Sequence, residues 1–260
     1  MVFVKSLGGG HLCSQTILMI HGFMGDHRDL LPFAEHLAHH KRQIVLVDLP
    51  GHGSTPLPED LNTDFDQVAE DIWLSVARVA QADISILGYS LGGRVACRIK
   101  SLYPDEVKTL VLESASFGLE DPDERSLRLE KDSKLFDRVL SEKISFADFL
   151  DIWYRLPLFQ GLQESPGYQS MLERRLSQKV AGIQGALKIL SVAKMTECAG
   201  EAKSWPGELH FISGRLDKKY WEISNSLGSR WQTYVINDVS HNVHLQASST
   251  FCSLLDAIFG

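Results

Sequence analysis

The sequence predicts an α/β fold, a mostly parallel, doubly wound sheet carrying an inserted helical lid. Three observations lead there. Short apolar runs alternate with amphipathic stretches, tight glycine-containing turns follow several of those runs, and one long charged interval lacks any strand pattern. Regular strand-helix alternation gives a parallel sheet with right-handed crossovers and helices on both faces. At 260 residues the chain can hold one large domain, or a core with an insertion, around a sizeable core.

"TILMIHG" (16–22), "QIVLVDLPG" (43–51), "ISILGYS" (84–90), "VKTLVLES" (107–114), "ELHFISG" (208–214) and "WQTYVIND" (231–238) read as strands. The first four are apolar without alternation, as expected of strands covered on both faces. Segments 27–40, 65–81, 91–103 and 244–259 carry helical periodicity. The alternation stops at about 118. "DERSLRLEKDSKLFDRVL", "SFADFLDIWYRL" and "GYQSMLERRLSQKVAGIQGALKIL" are charged and helical throughout. This divides the chain into a core, 1–117 and 205–260, and a helical lid, 118–204. The lid would cover the carboxyl ends of the strands, where open sheets bind ligands.

Composition is that of a globular protein, 44% hydrophobic and 23% charged, without low-complexity tracts or repeats. A net charge of -7 argues against nucleic acid or an anionic membrane as partner, so an anionic substrate needs a local basic cluster. Cys13, Cys97, Cys198 and Cys252 lack CxxC spacing and read as idle thiols in a reducing compartment. The start, "MVFVKSLGGGHLCS", lacks the apolar core of a signal peptide, and no run reaches membrane-spanning length. A cytoplasmic monomer without membrane insertion is expected. Neither metal nor organic cofactor is expected, because the histidines lack ligand spacing and no phosphate-binding or dinucleotide fingerprint occurs.

Gly88-Tyr89-Ser90-Leu91-Gly92 fits G-x-S-x-G, with a strand pattern before it and a helix pattern after it. The turn is so tight that side chains flanking the serine would clash, and it leaves the hydroxyl at a helix N-terminus. A serine hydroxyl needs a base, and the base needs an orienting carboxylate. "FISGRLDKKY" supplies Asp217 beyond one late strand, and "VINDVSHNVH" supplies His241 beyond the next. Asp238 reads as loop support, and His244 as the opening of the last helix. His36, His39 and His40 read as solvated, while His52 in "LPGHGST" is either pocket wall or packing. "HGFMGD" (21–26) follows the first buried strand, so the backbone N–H groups of Phe23 and Leu91 are candidates for an oxyanion hole.

"HGFMGD", "VDLPGHGST", "GYSLGGRVA", "SGRLDKKY" and "SHNVH" together resemble the α/β-hydrolase superfamily. The extended "GYSLGGRVA", with "ESASFGL", "WYRLPLFQGL" and "ERRLSQ", is similar to one family within it. That family comprises the 2-succinyl-6-hydroxy-2,4-cyclohexadiene-1-carboxylate synthases of menaquinone biosynthesis. The resemblance implies an elimination that expels pyruvate from a small tricarboxylate substrate, with the serine as base relayed through histidine. It further implies that Tyr89, Arg94, Arg128, Trp153 and Arg175 bind substrate. A charge at Arg94, four residues past Ser90, suits a carboxylate-rich substrate, since a guanidinium pairs two-on-two with a carboxylate. A purely structural Arg94 would instead brace the helix against a neighbouring acid. Arg125, Arg138, Arg155 and Arg174 read as solvated charges, and Trp153 could equally anchor the lid core. Tyr220, where the family pattern often has phenylalanine, and Ser240, where glycine is common, are departures that touch none of the proposed charges. The alternatives are a carboxylesterase or thioesterase using the same triad on an acyl group, and a binding protein that has kept the fold.

Overall fold

The computed structural model describes residues 2–38 and 41–260. Seven strands form one sheet: β1 (Val4–Gly8), β2 (Thr16–Ile20), β3 (Gln43–Val47), β4 (Ile84–Tyr89), β5 (Val107–Glu113), β6 (Glu208–Gly214) and β7 (Trp231–Ile236). Their order is β1-β3-β2-β4-β5-β6-β7. Every neighbouring pair is parallel except β1 with β3.

The continuous apolar runs are explained by burial on both faces. In β2, Leu18 and Ile20 join one core cluster while Ile17 and Met19 join the other. The first cluster is covered by α2 (Phe65–Ala77) and α3 (Leu91–Leu102), through residues such as Ile72 and Val95. The second lies under α1 (Leu31–Ala38) and the terminal α12 (Ser248–Phe259), through Phe33 and Phe251.

Between β5 and β6 come six helices and no strand: α4 (Pro122–Lys134), α5 (Asp137–Leu140), α6 (Phe146–Tyr154), α7 (Tyr168–Leu176), α8 (Val180–Leu190) and α9 (Ala199–Ala202). Helices α5 to α8 and the turns between them share a cluster of their own, built on Phe136, Phe149, Leu162, Met171 and Ile183, into which Met24 from the loop after β2 also fits. After β6 comes α10 (Lys218–Ser226), and after β7 the short α11 (Val243–Gln246) precedes α12. No helix among the described residues is long and apolar enough to cross a membrane.

The structure differs from the sequence expectation in four places. Strand β1 has no apolar run because it is a half-buried edge strand of only five residues. Segment 27–40 splits into a 3-10 turn at His27–Asp29, capped by Asp26, and α1, whose second residue is Pro32. Proline supplies no N–H and fits only the first turn of a helix, so α1 starts afresh there. Segment 244–259 breaks at Ala247, which leaves helical geometry with φ -131° and ψ 51°. Helix α10, directly after Asp217, is a nine-residue helix that the sequence reading does not include.

Candidate active site

Ser90 sits at the junction of β4 and α3 with φ 50° and ψ -107°, a left-handed backbone that costs energy for a side-chain-bearing residue. Its N–H donates to Glu113 O across the sheet (2.8 Å), which helps to hold that geometry. The surroundings are too close for larger residues. A Cβ on Gly92 would lie 2.3 Å from Ile20 O, and one on Gly22 would lie 2.6 Å from the Tyr89 ring. The hydroxyl is left at the N-terminus of a twelve-residue helix.

His241 Nε2 lies 2.8 Å from Ser90 Oγ, and His241 Nδ1 lies 2.6 Å from Asp217 Oδ2. Asp217 and His241 are both buried, on the loops after β6 and β7. The competitors lie elsewhere. Asp238 is exposed on a turn with φ 59°. His244 directs Nδ1 at the buried carboxylate of Glu113 (2.8 Å) and packs edge-on against Tyr89. His36 is not simply solvated but pairs with Asp256 on α12 (2.9 Å), while His39 and His40 lie outside the described residues.

The N–H groups of Phe23 and Leu91 donate to no protein acceptor among the described residues. Two buried histidines brace the loop that carries Phe23. His52 Nε2 accepts from Met24 N–H (3.1 Å) while its Nδ1 donates to Pro50 O; His21 Nε2 accepts from Leu49 N–H (3.0 Å). Each must be neutral to accept. Burial holds both below the ordinary histidine range, and His52, with His21 and Arg175 also pushing it down, falls to about 3. His52 is therefore a structural brace, and it does not line the cavity.

A cavity of about 390 Å³ opens above Ser90, a size suited to a small organic ligand. Its walls include Phe23, Tyr89, Arg94, Arg128, Trp153, Arg175 and His241, so all five residues implicated by resemblance meet around the serine. The arginines differ in how they are held. Arg175 is buried, with Nη2 on Asp29 (2.5 Å) and Nε on the Tyr154 hydroxyl (3.1 Å), and its Nη1 has no partner among the described residues. Arg128 is more open, and its Nε donates to Asp132 one helical turn away (2.8 Å). Asp132 also accepts from Ser191 (2.6 Å). Trp153 both lines the cavity and packs against the helical cluster, with its ring 6.0 Å from that of Phe23.

Helix α3 carries three buried cations in succession. Arg98 makes a two-pronged pair with Asp66 (2.7 and 2.8 Å), and Lys100 donates to the carbonyls of Pro104 and Val107. Arg94 is 8% exposed, and its guanidinium has neither a hydrogen bond nor an ion pair among the described residues. Burial pushes it below the ordinary arginine range. The acid that a bracing role would require is missing from its hydrogen-bonding reach.

Two further sequence expectations need correction. Arg174 is not a solvated charge, because its Nε pairs with the buried Asp29 (2.9 Å) across 145 residues. Tyr220 is not remote from the proposed charges: it lines the same cavity as Arg94 and its ring is 4.9 Å from that of His241. Lys131 and Asp132 also line the cavity and carried no distinguishing signal in a charged helix. Arg125, Arg138 and Arg155 do not line it. Asp26, His27 and Asp48 could together hold a cation, but Arg28 already pairs with Asp26, and Asp48 accepts from His27 and Ser54.

With this fold and this elbow in place, residues 15–170 match the α/β hydrolase fold family. The chain belongs to that family. Among relatives of this α/β hydrolase, the 2-succinyl-6-hydroxy-2,4-cyclohexadiene-1-carboxylate synthase of Enterobacter sp. (strain 638) is 26% identical over 242 residues, 93% of this chain and 90% of that protein. The putative synthase of the same name from Bacillus subtilis (strain 168) is 26% identical over 251 residues, 93% of this chain and 89% of its own. In three dimensions, MenH from S. aureus superposes with a TM-score of 0.88 over 98% of this chain and 97% of that one, at 24% sequence identity. That likeness establishes the shared architecture.

Proposed function

We propose that this α/β hydrolase is a carbon–oxygen lyase of menaquinone biosynthesis. It would eliminate pyruvate from 2-succinyl-5-enolpyruvyl-6-hydroxy-3-cyclohexene-1-carboxylate to give 2-succinyl-6-hydroxy-2,4-cyclohexadiene-1-carboxylate. The observation that carries the reading is the buried, unpartnered Arg94 in the cavity that holds Ser90 and His241. An apolar ester would leave that charge buried and uncompensated, whereas a substrate with three carboxylates supplies its partner. The names of the Enterobacter and Bacillus relatives support the same reading.

The ring C–H beside the succinyl ketone is the acidic site of such a substrate. In the proposed mechanism, His241 takes the Ser90 hydroxyl proton as the serine oxygen removes that ring proton, and Asp217 holds the imidazole through Nδ1–H. Negative charge builds on the ketone oxygen, where the free N–H groups of Phe23 and Leu91 would receive it. The electron pair then moves into the ring, the bond from the ring to the enolpyruvyl oxygen breaks, and pyruvate leaves as its enolate and takes up a proton. Arg94, Arg128 and Arg175 bind the carboxylates, Tyr89 and Trp153 complete the walls, and 118–204 acts as the lid.

The experiment compares pyruvate release from the enolpyruvyl substrate with hydrolysis of p-nitrophenyl acetate. Rapid pyruvate release with weak ester hydrolysis is expected. Strong ester turnover without pyruvate would replace the lyase by a carboxylesterase or thioesterase using Ser90 as acyl nucleophile.

A further inference from the structure

Three tyrosines line the cavity, and their hydroxyls are used differently. That of Tyr154 is engaged by Arg175 Nε (3.1 Å). Tyr89 stands beside Ser90 and already belongs to the proposed binding set. Tyr220 is on the first turn of α10, three residues past Asp217. It is 6% exposed and packs against the main core cluster. Its hydroxyl makes no hydrogen bond with the protein among the described residues, nor is it among the side-chain atoms sealed from solvent without a partner. A tyrosine this deeply packed normally finds a partner for its hydroxyl. Here the surface on which one could be met is the cavity.

Arg94 poses the same problem in the same cavity. Its guanidinium has neither a hydrogen bond nor an ion pair among the described residues, and it lines the space that Tyr220 lines. Two donors without acceptors, one charged and one neutral, thus border a single space. Phenylalanine at 220 would fill the same volume and keep the packing against His241, so packing does not account for the hydroxyl.

We propose that Tyr220 Oη donates a hydrogen bond to the substrate carboxylate that Arg94 pairs with, making a clamp in which guanidinium and phenol share one anion. This rests on the lyase reading for the identity of the substrate, but the clamp itself requires only an anionic carboxylate ligand. A carboxylate has lone pairs enough for a two-pronged guanidinium and a further donor. The phenol satisfies an oxygen that Arg94 alone would leave desolvated. It also favours a carboxylate over an ester, whose alkylated oxygen would meet the hydroxyl poorly.

The experiment uses the whole chain and Tyr220→Phe. It measures kcat and KM for pyruvate release, the Kd for 2-succinylbenzoate (a stable aromatic dicarboxylate that is the product less the elements of water), and Tm. Loss of a hydrogen bond to a charged group should raise KM and Kd by about tenfold or more, with kcat and Tm nearly unchanged. In the Arg94→Lys background the same change should have a smaller effect, because the two donors act on one anion. An unchanged Kd overturns the proposal, and so does a fall in kcat at constant Kd, which would mean that Tyr220 works by packing His241. If the wild type releases no pyruvate while Tyr220→Phe still weakens the dicarboxylate, the lyase reading fails and the clamp stands. Failure of the wild type itself to bind the dicarboxylate removes the clamp as well.

Discussion

Replacing Arg94 by alanine should separate binding from stability. The guanidinium is 8% exposed and has no hydrogen bond or ion pair among the described residues to offset its lost hydration. Burial disfavours its charged form, so the folded state holds this charge at a cost. Alanine removes that penalty together with the packing of the aliphatic stem, and the two changes oppose each other. Tm should therefore stay close to the wild-type value or rise. Substrate binding should respond very differently. A carboxylate that enters the cavity and finds no guanidinium is itself left desolvated, and losing one partner of such a pair costs about 2–5 kcal/mol. At about 1.4 kcal/mol per decade, kcat/KM should fall by a factor between about 30 and several thousand. Arg94→Lys retains the charge without the planar fork and should recover only part of that loss. The assay follows pyruvate release by coupled NADH oxidation, with Tm measured on the same preparations. A lower Tm combined with an unchanged kcat/KM would refute the reasoning, since it is what a bracing arginine would produce.

Ser90→Ala and His241→Ala should each abolish most pyruvate release and the double variant should lose little more, because the pair acts as one unit; additive losses in steady-state kinetics would show independent roles. Asp29→Asn should destabilise the fold by about 3–5 kcal/mol in denaturant unfolding, because it leaves the buried Arg175 charge without its carboxylate; a loss under 1 kcal/mol would count against this. Burial alone would raise the Asp29 carboxyl, but Arg175 and Arg174 override it and hold it well below the usual carboxylate range. Its stabilisation is therefore complete above the unfolded carboxyl pKa of about 3.9 and is lost as pH falls below that, a component Asp29→Asn should delete from the acid limb. His52 has the other window: the unfolded chain takes up its proton near pH 6.5 while the folded chain excludes it down to about 3. Stability should be intact above about pH 6.5 and decline below it, and His52→Gln should flatten that slope; identical slopes of Tm against pH would contradict the assignment. Arg138→Ala, on an exposed helix end away from the cavity, should leave kcat/KM and Tm unchanged.

How much of the molecule was legible in advance depended on the range of the forces involved. The first four parallel strands could be read because burial on both faces removes polar residues from a local run, as in Thr16–Ile20 and Gln43–Val47. The elbow at Ser90 could be read because steric exclusion at Gly88 and Gly92 acts over a few residues. Strand β1 could not: an edge strand half open to water imposes no apolar pattern, and it exists because β3 offers it a hydrogen-bonding edge. The two breaks, at Leu30 and Ala247, turned on the placement of a proline and on a local departure from helical dihedrals that periodicity averages away.

By itself, then, the sequence determined the alternation of the six parallel strands with helices, the turn that carries Ser90, and the segments after β6 and β7 that carry Asp217 and His241. These depend on hydrophobic periodicity and local sterics, which neighbouring residues express directly. Only the tertiary structure decided which charges are answered. Arg98 and Arg94 lie one helical turn apart with the same side chain, yet one pairs with Asp66 and the other has no hydrogen-bond or ion-pair partner among the described residues. Arg174 and Arg175 converge on Asp29 from about 145 residues away, and Tyr220 comes to share a cavity with Arg94 across 126 residues of sequence. Ion pairing and desolvation act through space at the distances the fold sets, and no local pattern encodes them.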